Sequence, residues 1–211
     1  MDSKYPPWQT VYYYFRQFKL RGIWPGRRAE ELLDQLAINE RKRQERESTP
    51  SLMAIDSQSV KVVQFVNLET GIDGNKKING RKRTIVVDTL GIPWAVKVSS
   101  ASQSDNQAGI HALVQLKGKV PRLQKIIGDQ GYKTTFVEHT ESTYGWKVEI
   151  AQKPESQRGF VPQKNRWQVE RSFGWLNFRR RLSKDYEKTV ESSEAMLQIA
   201  YSSILLGRMQ N

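Results

Sequence analysis

The stretch KIIGDQGYK, residues 125–133, decides the fold expected for this chain. Two isoleucines and a glycine form a short apolar run, and the acid Asp129 follows it directly. A short apolar run bounded by glycine is typical of a buried strand. We therefore expect a strand with a carboxylate at its tip. Because buried strands seldom end in this way, the acid calls for a functional explanation.

A second apolar run ends in an acid in the same way. In the predicted strand LMAIDSQSVKVV, Asp56 follows the apolar residues LMAI. If both strands belong to one sheet, their aspartates can lie side by side. Two unpaired carboxylates a few ångströms apart repel each other, and a divalent cation between them removes the repulsion. Carboxylate oxygens suit Mg²⁺ or Mn²⁺ rather than zinc.

Composition indicates a polyanionic partner. The chain has 211 residues, a formal net charge of +12 and enough hydrophobic residues, 37%, for a packed core. A basic excess of this size attracts polyanions, most often nucleic acid; a solubility feature or ribosome association is the alternative. No apolar run approaches the roughly 18 residues of a membrane span. The absence of cysteine excludes disulfides and thiolate metal sites and fits a reducing cytoplasm.

The chain divides into three parts. Residues 1–46 predict two amphipathic helices, WQTVYYYFRQFKLRGIW and AEELLDQLAINERKRQERE, which belong either to a DNA-binding helical domain or to a plain helical hairpin. Residues 47–51, ESTPS, predict a linker. Residues 52–211 predict the order β-ββ-α-β-α-β-α-α, with a glycine-rich basic loop in GIDGNKKINGRKR and helix throughout residues 164–188.

A third metal ligand is expected from the last helices. In the stretch NRWQVERSFGWLNFRRR, Glu170 shares a helical face with Trp167 and Phe173. An acid beside two aromatic residues does not lie on a fully solvated face. Helix geometry alone leaves a second interpretation equally open, in which Glu170 forms an ordinary ion pair with Arg166 or Arg171.

Three other aspartates have structural explanations. Asp88 begins the stretch DTLG, which has the composition of a turn. Either Ser104 or Asp105 suits the N-cap of the helix that follows. Asp73 lies in the predicted glycine-rich loop.

Clusters of basic residues are candidates for contacts with a phosphate backbone, which give affinity without sequence information. The alternative for each cluster is a solvated charged face. The candidates are Lys76, Lys77, Arg81, Lys82, Arg83, Arg179, Arg180 and Arg181. Trp167, Trp175 and Trp146 could stack on unpaired bases, although core packing explains at least two of them better.

The motifs AIDSQSVK, GRKRTIVVDTLGIPWAV, GDQGYK and WQVERSFGWLNFRRRLSKDYE together resemble the DDE transposases of bacterial insertion sequences, of the type named after insertion sequence five. The similarity extends from about Leu52 to Tyr186. It implies an α/β, ribonuclease-H-like fold: a mixed five-stranded sheet flanked by helices, with a short N-terminal helical region. It also implies that Asp56, Asp129 and Glu170 form the catalytic and metal-binding triad.

The same resemblance implies an activity. Two Mg²⁺ or Mn²⁺ ions would support cleavage at the ends of a mobile element and strand transfer into target DNA. The implied partner is double-stranded DNA, bound by a homodimer or higher multimer, without a membrane, at the nucleoid in a bacterial cytoplasm. Two alternatives stay open: a truncated, non-catalytic DNA-binding copy that competes for element ends, and a general nuclease that cuts without joining.

The chain departs from the family pattern at two positions. Arg166 matches an arginine that precedes the glutamate in related transposases, and it joins the DNA-binding candidates. However, Gln163 stands where a tyrosine is common and Asn177 where a lysine is common, so Arg179 or Arg180 would substitute in phosphate contacts. The N-terminal stretch is similar to only the later half of the family's helical region, which implies an N-terminally truncated chain.

Overall fold

A mixed sheet flanked by helices forms the centre of the protein in the computed structural model, which describes residues 6–23, 27–151 and 167–210. The strands are β1 (Leu52–Lys61), β2 (Gly71–Asp73), β3 (Ile78–Asp88), β4 (Pro93–Ser100), β5 (Lys125–Gly128) and β6 (Lys147–Ile150). The helices are α1 (Trp8–Leu20), α2 (Arg27–Arg43), α3 (Asp105–Leu113), α4 (Thr135–Tyr144), α5 (Trp167–Asn177) and α6 (Val190–Met209). None of these helices is long and apolar enough to cross a membrane.

The long strand β3 organises one half of the sheet and β1 joins it to the other half. Strand β3 pairs antiparallel with β1 on one side and with β2 and β4 on the other. Strands β1, β5 and β6 are parallel neighbours. The predicted order of strands and helices from residue 52 onward is confirmed, and the sheet gains one strand, the three-residue β2, that the sequence did not predict.

The basic stretch predicted as a loop forms β2 and the start of β3. Gly80 lets the start of β3 approach β1, because a Cβ at that position would overlap the carbonyl oxygen of Val60 on β1. The turn between the two strands is held by Asp73, whose Oδ1 accepts hydrogen bonds from the N–H groups of Asn75 (3.0 Å) and Lys76 (3.1 Å). Asp73 is therefore a turn residue, as the sequence suggested.

The cationic residues of β3 are buried and bind other parts of the chain. The guanidinium of Arg81, fully buried, donates to the carbonyl oxygens of Glu187 (2.8 Å) and Lys188 (3.0 Å) and lies 3.4 Å from a carboxylate oxygen of Asp185. Arg83, also buried, donates to the carbonyl of Leu182 (2.7 Å). The phosphate contacts expected for these two arginines are thus replaced by contacts within the protein.

The segment after α5 explains why those arginines are needed. Residues 178–188 were predicted to continue the helix, and this was wrong: α5 ends at Asn177, a short 3-10 turn spans Arg180–Leu182, and Asp185 forms a bridge with Val62 beside β1. A non-helical segment leaves main-chain carbonyl groups that need donors. Side chains from β3 supply them.

The N-terminal helices differ in how they pack. Helix α2 lies against α6 and β4, and its Leu33, Leu36 and Ala37 belong to the main hydrophobic core. Helix α1 contains no buried residue; near its end Lys19 donates to the hydroxyl of Ser192 (2.8 Å). The division into residues 1–46, 47–51 and 52–211 stays a prediction.

A buried carboxylate joins α2 to the turn between β3 and β4. Asp88 Oδ1 accepts hydrogen bonds from the N–H groups of Leu90 (2.8 Å) and Ile92 (3.0 Å). Its Oδ2 accepts from Arg41 of α2 (2.6 Å) and from Trp94 (3.3 Å). The turn chemistry expected for this aspartate is present, and the ion pair to α2 comes in addition.

Replacing this aspartate should therefore be costly. We expect Asp88→Ala to lower the free energy of unfolding by about 3–5 kcal/mol, because it leaves the buried guanidinium of Arg41 without its carboxylate partner. Urea denaturation followed by circular dichroism measures this, with the exposed Glu69→Ala as control. If the ion pair is the cause, Arg41→Met combined with Asp88→Ala costs less than the sum of the two single changes; additive losses would contradict it.

Candidate active site

The register between two parallel strands places the predicted aspartates next to each other. Ala54 of β1 pairs with Ile127 of β5. Asp56 and Asp129 each lie two residues further along, so they occupy matching positions on neighbouring strands. Asp129 follows the last residue of its strand, as predicted, whereas Asp56 lies in the middle of the longer β1. Both residues are half-buried.

Asp56 lies on the face of the sheet that the end of α5 covers. Side chains alternate along a strand, so Asp56 shares its face with Gln58, and Gln58 pairs with Arg83 on β3. Arg83 reaches the carbonyl of Leu182, just beyond α5, and α5 itself packs against β1 and β3. The candidate Glu170 is thus carried by a helix on the same side of the sheet as Asp56.

A buried junction of three hydroxyl groups lies beneath the two aspartates. Ser57 Oγ is 2.8 Å from Thr84 Oγ1 and 2.7 Å from the phenol oxygen of Tyr132. Burial raises the pKa of Tyr132 well above its ordinary value, and the negative charges of Asp56 and Asp129 raise it further. The phenol therefore stays neutral and links the residue after one aspartate to the loop that carries the other.

The glycines of GDQGY are required by the crowding around Asp129. The N–H of Gly131 donates to Asp129 Oδ1 (2.8 Å). A Cβ at Gly131 would lie 2.9 Å from that same oxygen and 2.8 Å from Oδ2 of Asp105. At Gly128, a Cβ would approach the Cβ of Tyr132 to 3.1 Å. Larger residues would push the loop away from β1.

Comparison with known proteins shows the family of this chain. A family model described as the transposase DDE domain matches residues 47–205 of the chain. The chain belongs to this family. The predicted enzyme class is confirmed, because the matched family is that of transposases. Transposases are enzymes that cleave and transfer DNA strands. The finer insertion-sequence-five type stays a prediction.

Solved structures with a similar fold include three integrases and transposases of low sequence identity. The simian T-cell lymphotropic virus intasome, in complex with PP2A regulatory subunit B56 gamma, is 14% identical with a TM-score of 0.46; the alignment covers 74% of this chain and 49% of that one. The HTLV-2 integrase catalytic core domain in complex with magnesium is 16% identical with a TM-score of 0.41; the alignment covers 74% of this chain and 84% of that one. The catalytic domain of the Mos1 mariner transposase is 14% identical with a TM-score of 0.40; the alignment covers 85% of each chain. No curated protein gives a significant match.

The strand order β4-β3-β1-β5-β6 has two antiparallel pairs, β4–β3 and β3–β1, followed by two parallel pairs, β1–β5 and β5–β6. This is the ribonuclease-H-like arrangement in this transposase domain. The predicted fold class is therefore confirmed. The chain spans about half the length of the intasome chain that it matches.

Two of the three predicted ligands fit a divalent cation by position and donor chemistry. Asp56 and Asp129 offer carboxylate oxygens at matching positions. Glu170 is exposed in the first turn of α5. Over residues 6–23, 27–151 and 167–210, no group of three acidic or histidine side chains is arranged to hold a metal. The register gives the two aspartates matching positions, but Glu170 does not complete a three-ligand group with them.

The basic residues predicted to bind DNA fall into different environments. Arg81, Lys82 and Arg83 are buried and used inside the transposase domain. Arg181 is exposed but paired with Glu187 (2.6 Å). Arg166 and the departure at Gln163 lie outside the described residues. The residues whose charges face solvent are Lys76 and Lys77 in the β2–β3 turn and Arg179 and Arg180 after α5.

The three tryptophans considered for base stacking are distinguished by their packing. Trp146 stacks on Tyr144 with ring centroids 4.5 Å apart. Trp175 is half-buried, and the guanidinium of Arg208 lies 4.0 Å from its ring centroid. Trp167 keeps 41% of its surface exposed. The guanidinium of Arg171 lies 4.2 Å from the Trp167 ring centroid, so all three rings contact other side chains, and Trp167 is the most exposed of them.

Sequence reasoning missed one carboxylate beside the site. Asp105 was treated as a possible helix cap, but Ser104 is the cap, since its Oγ accepts a hydrogen bond from the N–H of Gln107 (3.3 Å). Asp105 instead lies against Gly131 and pairs with Lys82 (2.7 Å). Only the spacing between distant parts of the chain reveals this, so no local sequence signal could have found it.

The hydroxyl junction gives a prediction for the site. We expect Tyr132→Phe to lower the free energy of unfolding by about 1 kcal/mol, the value of one buried hydrogen bond. It should also lower the rate of metal-dependent DNA cleavage by roughly 10-fold, because a small displacement of reacting groups is costly. Denaturation and cleavage assays on the same preparations measure both. Tyr144→Phe, which removes a hydroxyl away from the junction, is the control; equal effects of the two changes would contradict the role of the junction.

Proposed function

We propose that this transposase domain cleaves DNA at the ends of an insertion sequence and transfers the strands into target DNA, with Mg²⁺ or Mn²⁺ as cofactor. The observation that supports this most strongly is the register of β1 and β5, which gives Asp56 and Asp129 matching positions in a member of the transposase DDE domain family. A metal ion shared by two strands requires ligands at matching positions, which this register provides.

The metal ligands in this proposal are Asp56, Asp129 and Glu170. Two bound ions would activate the attacking water or 3′-hydroxyl and stabilise the leaving oxygen. The aspartates lie on strands fixed by main-chain hydrogen bonds. The glutamate lies on a short helix whose buried face, with Val169 and Phe173, packs into the core. We place the completion of the triad at the step in which α5 adjusts to bound metal and DNA.

The proposed DNA surface consists of the basic residues that face solvent. Lys76 and Lys77 lie at the tip of a two-stranded turn, and Arg179 and Arg180 follow the helix that carries Glu170. Arg166 belongs to the same proposal as a residue just before α5. Contacts of this kind hold the phosphate backbone without reading sequence.

Further parts of the proposal concern assembly and location. We infer a homodimer or higher multimer on paired element ends, acting at the nucleoid of a bacterial cell. Residues 1–46 would belong to an N-terminal DNA-binding region. The exposed aromatic residues of α1, among them Trp8, Tyr12 and Tyr14, support a role for that helix outside the core.

The triad assignment is tested by conservative substitutions. We expect Asp56→Asn, Asp129→Asn and Glu170→Gln each to reduce strand cleavage at least about 100-fold, the scale on which transition-state charge stabilisation acts, with DNA affinity within twofold of the unmodified protein. The substrate is a labelled duplex carrying the element's own end, incubated with target plasmid and Mg²⁺. Glu138→Gln, an exposed acid on α4, is the control.

Each departure from this result has a distinct meaning. If Asp129→Asn cleaves at the unmodified rate, the site is assigned wrongly. If the unmodified protein cuts any duplex equally and joins nothing, it is a general nuclease. If it binds element ends but cleaves none with metal present, it is a non-catalytic copy that competes for those ends.

The DNA surface is tested by salt dependence. We expect Lys76→Ala and Arg180→Ala each to reduce the slope of log Kd against log salt concentration by about 0.9, since each removes one phosphate contact. Fluorescence anisotropy with a labelled duplex at several salt concentrations measures the slope. Lys147→Ala, at the opposite end of the parallel strands, is the matched control and should leave the slope unchanged. If the slope is unchanged in all three variants, the DNA binds a different surface and the proposed one is wrong.

A further inference from the structure

Asp105 stands next to the loop that carries Asp129, although it lies 24 positions earlier in the chain. It is the first residue of α3, and Ser104 already fulfils the capping role at that helix end. Its side chain is about one-third exposed. The capping requirement therefore does not explain why a carboxylate occupies this position.

The two oxygens of Asp105 have different surroundings. Oδ1 accepts a hydrogen bond from the ammonium of Lys82 at 2.7 Å. Lys82 is itself buried, with 7% of its side chain exposed, and its second partner is the carbonyl of Gln103 at 2.7 Å. A buried ammonium with two short partners is fixed in place, and it fixes the orientation of the Asp105 carboxylate in turn.

Oδ2 of Asp105 points at the backbone of the Asp129 loop. A Cβ on Gly131 would meet this oxygen at 2.8 Å and Oδ1 of Asp129 at 2.9 Å. The two carboxylates thus approach the same glycine, whose N–H donates a hydrogen bond to Asp129. The loop has no room to move toward α3 while Asp105 occupies that position.

We propose that Asp105, held by Lys82, is a positioning residue that fixes the loop carrying the Asp129 carboxylate and so sets the affinity of the site for its divalent metal. This inference rests on the proposed metal-dependent function. Like charges repel at short range, so an anchored carboxylate on the α3 side of Gly131 disfavours any closer approach of Asp129 to α3. The paired ammonium offsets the charge of Asp105 without moving it.

Asp105→Asn is the decisive variant, because it keeps the size of the side chain and removes its charge. Mn²⁺ affinity is measured on the DNA-free protein by electron paramagnetic resonance of free Mn²⁺, and cleavage of the labelled element end is measured at increasing Mg²⁺. We expect about 10-fold weaker Mn²⁺ binding, the lower end of the effect of residues that orient a ligand. The cleavage rate at saturating Mg²⁺ should return to within about threefold of the unmodified rate.

A matched lysine–aspartate pair provides the control. Asp34 of α2 pairs with Lys119 at 2.9 Å, away from the tips of β1 and β5, and Asp34→Asn should change neither readout. Gly131→Ala should weaken Mn²⁺ binding as Asp105→Asn does, since the added methyl group displaces the same two oxygens. Thermal melting of each variant confirms that it is folded.

A double variant separates positioning from simple charge. In Asp105→Asn the ammonium of Lys82 loses its carboxylate partner, and its uncompensated positive charge could by itself repel the metal. Lys82→Met combined with Asp105→Asn removes that charge. We expect the double variant to bind Mn²⁺ as weakly as the single one; recovery to the unmodified affinity would overturn the inference.

The remaining outcomes distinguish this inference from the function on which it rests. If Asp129→Asn abolishes Mn²⁺ binding and Asp105→Asn leaves it unchanged, the inference fails and the metal site stands. If saturating Mg²⁺ does not restore cleavage in a folded Asp105→Asn protein, Asp105 does not act through metal affinity, and the inference also fails. If Mn²⁺ binding in the unmodified protein does not depend on Asp129, the proposed function fails together with it.

Discussion

Main-chain hydrogen bonds join β1 to β5 in parallel over the pairs from Leu52–Lys125 to Ala54–Ile127, and the candidate site depends on this register. A slip of one residue would turn one aspartate to the opposite face of the sheet, because side chains alternate along a strand. The register is held from below by the Ser57–Tyr132 hydrogen bond, which would break with the same slip. Strand pairing and the buried hydroxyl junction therefore specify the same geometry independently.

Buried charge holds the other half of the sheet. Arg81 and Arg83 place guanidinium groups where the non-helical segment after α5 needs donors, and Asp185 accepts from Ser193 (2.6 Å) while lying beside Arg81. The motif RRLSKDYE is thus a structural motif as much as a functional one in this protein. Removing either guanidinium would leave buried carbonyl groups unpaired, which is more costly than the net value of the bonds themselves.

These buried pairs alter the meaning of the net charge of +12. Arg41, Lys82 and Arg81 form ion pairs with Asp88, Asp105 and Asp185 inside the domain. Because each pair is neutral, other residues carry the net charge. Among the described basic residues predicted to bind DNA, the exposed ones that are not paired with an acid lie on the β2–β3 turn and on the segment after α5.

The sequence by itself determined the fold class, most of the strand order and the two aspartates, because short apolar runs ended by glycine and acid residues are local signals and the motif set is specific to a family. It could not determine which cations are surface residues: Arg81, Lys82 and Arg83 look the same in sequence as Lys76 and Lys77, and only the pairing of β3 with the segment after α5 and with α3 buries them. Nor could it show that the helix stops at Asn177 or that Asp105 meets Gly131. Those features depend on contacts between residues far apart in the chain, which form only when the sheet and its flanking helices are assembled.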